Sequence, residues 1–152
     1  MMRALTVSVA AAALLAASLS GCSDQESSGG GATSVGSGGG VTKVVVDGKE
    51  QNVSGAVTCS SAAGNVNITI GGQGTGIAAV LTDTNPPEVK SVGLGTVDGI
   101  ALNFIAGTGE GQASATRNGS QYKITGTAVG VDASNPMEGA VKKPFAIDVN
   151  CP

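Results

Sequence analysis

From residue 43 onward, apolar and polar residues alternate with a period of two. Val66, Ile68 and Ile70 fall on one side of their run, and Asn65, Asn67 and Thr69 on the other. Ile100, Leu102 and Phe104 repeat the pattern, as do Tyr122, Ile124, Gly126 and Ala128, and finally Phe145, Ile147 and Val149. Successive side chains of a strand point to opposite faces, so each run predicts a half-buried strand. Val and Ile greatly outnumber Leu, and their branched Cβ suits a pleated surface. Val53, Gly55, Val57 and Cys59 predict one face of a further strand, and residues 76–82 read as a strand in preference to a short helix. Between the runs, Asp47-Gly48 and Asn118-Gly119 predict two-residue hairpin connections, whose central positions favour φ > 0. Asp98-Gly99, Asn85-Pro86-Pro87 and Asn135-Pro136 mark further reversals. Short strands at this spacing predict an all-β domain over residues 43–152, an antiparallel β-sandwich or partly closed barrel.

The first 42 residues lack this alternation. Arg3 is the only charge before Asp24, and an Ala-rich apolar run fills residues 4–19. A basic start and an apolar run of this length predict a cleaved export signal over residues 1–21. It ends in Leu19-Ser20-Gly21-Cys22, which matches the bacterial lipobox: an apolar residue, two small residues, then Cys. The small residues let the backbone enter a peptidase cleft. The Cys22 thiol takes a diacylglyceryl group as a thioether, and cleavage exposes its amine for an N-acyl chain. Each buried methylene contributes about 0.8 kcal/mol, so one chain holds marginally and two or more hold stably. The predicted partner of the mature N-terminus is therefore the membrane, and the predicted location is the extracytoplasmic face of the cell envelope.

Residues 22–42 are the acylated N-terminus and a linker. Twelve of the twenty residues from 23 to 42 are Gly or Ser, too polar and too small to bury a core. As a flexible coil such a linker reaches roughly 25 Å. Thr33, Ser34, Ser37 and Thr42 are candidate O-glycosylation acceptors, with plain solubility the alternative use of this composition.

Composition narrows the chemistry. The 152 residues include no His and no Trp, one Tyr and two Phe. Without His there is no Ser-His-Asp or Cys-His nucleophile and no His-ligated metal, so no catalytic residue, cofactor or metal site is expected. Eight Lys+Arg against eleven Asp+Glu leave no basic surface for nucleic acid. Loss of Arg3 with the leader makes the mature charge −4, so the acyl chains and not electrostatics hold the membrane. Of the three cysteines, lipid consumes Cys22. Cys59 and Cys151 then lie on the apolar faces of their strands in an oxidising compartment, which predicts a disulfide, with two buried free thiols as the alternative.

Four local patterns are weaker. Gly74-Thr75-Gly76-Ile77-Ala78-Ala79 matches a dinucleotide-binding fingerprint, but Pro86 and Pro87 leave no room for the helix that it needs. Asn52, Asn67 and Asn118 open N-glycosylation sequons. Asp83 and Glu88 flank the double proline and read as a solvated turn, with a carboxylate dyad or a loose Ca²⁺ site as the sharper reading. Lys142-Lys143 reads as a solvated start of the last strand.

Five segments carry a resemblance through the whole precursor: VVVDGKEQNVSGAVTC (44–59), AAGNVNITIGG (62–72), TGIAAVLTDTNPPEVKSVGLG (75–95), YKITGTAVGVDASNP (122–136) and KPFAIDVNC (143–151). The chain resembles the mycobacterial 19 kDa lipoprotein antigen family. The resemblance implies a surface-exposed envelope lipoprotein, an antigen and glycosylated adhesin. It also implies that the acylated N-terminus, here Cys22, is sensed by a host pattern-recognition receptor, Toll-like receptor 2. The linker differs from the Thr-rich linkers of the family in holding only Thr33 and Thr42. The competing expectation is a lipid or glycolipid carrier, since a core of small side chains leaves room for a ligand between sheets.

Overall fold

In the computed structural model, residues 36–38, 42–72 and 76–152 are described; the leader, the lipobox and most of the linker lie outside them. Eleven strands make one antiparallel sheet: β1 (Gly36–Gly38), β2 (Thr42–Val46), β3 (Lys49–Glu50), β4 (Val57–Ala62), β5 (Asn65–Ile70), β6 (Ile77–Thr82), β7 (Val89–Val97), β8 (Ile100–Ile105), β9 (Gln112–Asn118), β10 (Gln121–Asp132) and β11 (Ala140–Asn150). A 3-10 turn, Pro136–Glu138, sits in the β10–β11 connection. The order across the sheet is β1-β4-β5-β6-β7-β8-β10-β11-β2-β3, with β9 paired to β10 off this path.

The sheet curls because β10 belongs to two neighbourhoods. Its first half, Gln121–Thr127, pairs with β9, and its second half, Val129–Asp132, pairs with β8. Gly126 and Gly130 sit near this handover. A methyl on Gly130 would run into the Ala101 carbonyl oxygen and the Ile100 side chain, and one on Gly126 into the Gln112 carbonyl oxygen. Lack of a Cβ is what lets the neighbouring strands approach. Register shifts between Val80 and Leu81 and between Gly93 and Gly95 add local bends. The result is a half-barrel, the partly closed form of the expected all-β fold.

The concave side is the core. Ile68, Ile70, Leu81, Ile124 and Ile147 are at most 1% exposed, and Phe104, Tyr122 and Phe145 close around them. The period-two runs at 65–70, 122–128 and 145–149 place their apolar positions inward as the sequence predicts. Ile100 alone in its run is only half buried. Residues 77–82 are a strand, so no helix follows the glycines at 71–76, and the fingerprint has no dinucleotide-binding unit around it; Gly74 and Thr75 lie outside the described residues.

Two local expectations are corrected. Val53 and Gly55 are not in a strand. Gly55 takes φ +138, and a Cβ there would meet the Gly71 backbone at 2.6 Å, so residues 51–56 form an irregular segment and β4 starts at Val57. The β9–β10 connection is Gly119-Ser120 and not Asn118-Gly119. Asn118 still pairs with Gln121, and Gly119 alone has positive φ, as in a turn with Gly at its first central position. A reversal that the sequence reading left out, Ala63-Gly64, joins β4 to β5 with φ +50 and +74. Asp47-Gly48 and Asp98-Gly99 are two-residue turns with both residues at positive φ.

Two stretches of the expected linker are paired. Gly36–Gly38 adds to the edge of β4, Gly36 opposite Cys59, and Thr42 opens β2 opposite Val149.

Candidate functional site

The domain has two unlike ends. At the first, a disulfide joins Cys59 of β4 to Cys151 just past β11, with Cα atoms 5.8 Å apart and 92 residues between them in sequence. No hydrogen-bonded ladder links β4 to β11, so the bridge clamps two strands that the sheet order holds far apart. The Cys151 amide donates to the Ser120 carbonyl at 2.9 Å, and Ser120 Oγ donates to Asn150 Oδ1 at 2.8 Å. Arg117 donates to Asp83 Oδ1 at 2.9 Å and to the Gly119 carbonyl at 3.1 Å, and its guanidinium lies 5.3 Å from the centre of the Tyr122 ring. Burial pushes the Tyr122 hydroxyl above its usual range against the opposing pull of Arg117. Gly36 of β1 lies opposite Cys59.

The second end gathers the Asp47-Gly48 and Asp98-Gly99 turns, residues 51–56 and the β10–β11 connection. Lys143 Nζ donates to Asp47 Oδ2 at 2.6 Å, and this hydrogen-bonded cation holds the Asp47 carboxyl below the usual carboxylate range. Lys49 pairs with Asp98 at 3.5 Å. Asp132 is also held low, by the hydroxyl and then the amide of Ser134. Between these pairs lies a dimple of about 50 Å³ over Val46, Ile100 and Leu102. Beside it, a cleft of about 240 Å³ opens between residues 51–54 and the ends of β6 and β7. Ile77 and Leu94, each 3% exposed, form its floor. Val53 and Val97 are its walls, and Gln51, Asn52, Ser54 and Thr96 its rim.

The residues singled out by sequence distribute as follows. Leu19, Ser20, Gly21, Cys22, Thr33 and Ser34 lie outside the described residues. Ser37 lies on β1 opposite Thr58, and Thr42 is half buried at the start of β2. Asp83 faces Arg117 and not Glu88, and both carboxylates sit in an exposed loop; among the described residues no group of three Cys, Asp or Glu is placed to hold a metal. Lys142 is exposed, whereas Lys143 is the partner of Asp47. The rim residues Gln51 and Thr96 drew no notice as functional positions, and Asn52 only as a sequon. They come together only because a loop and a distant strand meet, and no local pattern marks that.

One curled antiparallel sheet closed by a disulfide defines the class of this domain, an all-β half-barrel. Residues 35–151 match the family described as Mycobacterium 19 kDa lipoprotein antigen. The chain is 60% identical to Lipoprotein LpqH of Mycobacterium tuberculosis and of Mycobacterium bovis, over an alignment of 166 positions, gaps included, that covers 99% of each chain. It is 64% identical over 110 residues to Lipoprotein LpqH of Mycobacterium avium, covering 72% of this chain and 68% of that one. A putative lipoprotein of Mycobacteroides abscessus shares 41% identity across 95% of this chain and 97% of its own. The chain belongs to the Mycobacterium 19 kDa lipoprotein antigen family.

Proposed function

We propose that this lipoprotein is a non-enzymatic, surface-exposed component of the envelope, anchored by acyl chains on Cys22, whose acylated N-terminus is a ligand for host Toll-like receptor 2 and whose domain serves as antigen and adhesin. One observation carries the anchor: Cys59 and Cys151 are consumed in the disulfide, and the only other cysteine follows Leu19-Ser20-Gly21. Two or three chains there supply enough buried methylene for stable retention. The carrier reading has less support. The concave side is filled by Ile68, Leu81, Ile124 and Ile147; a hollow of about 330 Å³ is lined by Gln112, Ala113, Ser114, Thr125 and Gly126, with no large apolar side chain to hold a fatty chain, and the 240 Å³ cleft is below the roughly 300–1,000 Å³ of drug-sized ligand pockets.

Replacement of Cys22 by Ala tests the proposal. The wild-type chain, labelled with a fatty acid, partitions with membranes and activates receptor-bearing cells. The variant is unlabelled, leaves the membrane fraction and loses receptor activation. Undiminished membrane retention or signalling by the variant refutes it.

A further inference from the structure

We infer that the cleft between residues 51–54 and β6–β7 is a binding site for a neutral sugar ring. Three features of the cleft select the ligand. Ile77 and Leu94 underlie it almost wholly buried, so the aliphatic surface it offers is mainly that of the half-buried Val53 and Val97. Its rim offers the amide of Asn52 and the hydroxyls of Ser54 and Thr96, and among the described residues none of these three side chains has a hydrogen-bond partner. No charged residue lines it. An aliphatic surface beside uncharged donors and acceptors matches a pyranose, which has one apolar face and a rim of hydroxyls that each give and accept hydrogen bonds. A charged ligand would find no counter-ion there, and a fatty chain would leave the rim amide and hydroxyls unpaired. The size agrees: 240 Å³ is the share of about eight waters, room for a single ring and too little for a lipid. With no aromatic ring in the cleft to stack on the sugar, affinity for one ring is on the order of millimolar.

Sugar binding stands whether or not Cys22 is acylated.

The test uses the full ¹⁵N-labelled chain in detergent micelles, titrated with methyl α-D-glucopyranoside, methyl α-D-mannopyranoside and methyl β-D-galactopyranoside, with glucuronate and octanoate alongside. The expected result is saturable shifts of the Asn52, Thr96 and Val97 amides with at least one neutral pyranoside, and none with glucuronate. Replacement of Asn52 by Ala together with Thr96 by Val weakens that binding at least tenfold. Both positions are exposed, and an unchanged melting temperature checks that the variant folds. Absence of saturable shifts, equal binding by the double variant, or shifts with octanoate alone overturns the inference.

Discussion

The disulfide bears a quantitative prediction. Cys59 and Cys151 are 92 residues apart, so their bridge closes most of the domain into one loop. In the chain-entropy model a loop of this length constrains the unfolded chain by roughly 4.6 kcal/mol at 25 °C. That is a large share of the roughly 5–15 kcal/mol that holds a domain folded. Its place in the sheet agrees with this weight, since β4 and β11 share no backbone ladder and the bridge alone couples them covalently. The variant replaces both cysteines by Ala and keeps Cys22. Thermal and urea unfolding, followed by circular dichroism, is compared with the oxidised parent. Melting should fall by about 20 °C, taking the entropy of unfolding of a domain of this size. The urea midpoint should fall by about 1.5–4.5 M. The denaturant slope should rise, because the uncrosslinked unfolded chain exposes more surface. Loss of the sulfurs, buried at Cys59 and half buried at Cys151, adds about 1–2 kcal/mol. A stability loss under about 1 kcal/mol would refute the reasoning and show that the curled sheet holds its own ends.

Leu81→Ala removes a fully buried side chain from the centre of the concave side and should cost about 2–5 kcal/mol, read by urea unfolding. Gly130→Ala drives a methyl into the Ala101 carbonyl oxygen where β10 passes from β9 to β8, and should cost about 1–3 kcal/mol or more in the same assay. The Asp47 carboxyl is held low by Lys143, so its contribution is present above the unfolded value near 3.8 and is lost as pH falls through the lower folded value. The gap in melting temperature between the parent and Asp47→Asn should therefore be constant above about pH 5 and should shrink below pH 3.8. Tyr122 is shifted up by burial, so the folded chain should lose stability as pH rises past 10, and Tyr122→Phe should flatten that limb.

The sequence by itself determined the strands at 65–70, 122–128 and 145–149 and their inward faces. Inward faces were legible at 65–70 and 145–149 because burial of one side of a sheet imposes a period of two on a single strand, a constraint local to the chain. The turn at Asp47-Gly48 was legible from two adjacent residues that tolerate positive φ. Ala63-Gly64 was not, since Ala carries no such preference and its φ of +50 is imposed by the strands on either side. The break at Val53 and Gly55 was hidden for a similar reason: alternation continues through the segment, but close approach to Gly71 decides its path. Only the tertiary structure placed Asp83 against Arg117 and Asp47 against Lys143, and only it set Asn52 and Thr96 on one rim over Ile77 and Leu94. Such pairings depend on how far the sheet curls. That curl is set by the division of β10 between two partners and by glycines that admit a neighbouring backbone, long-range packing that no short window of residues records.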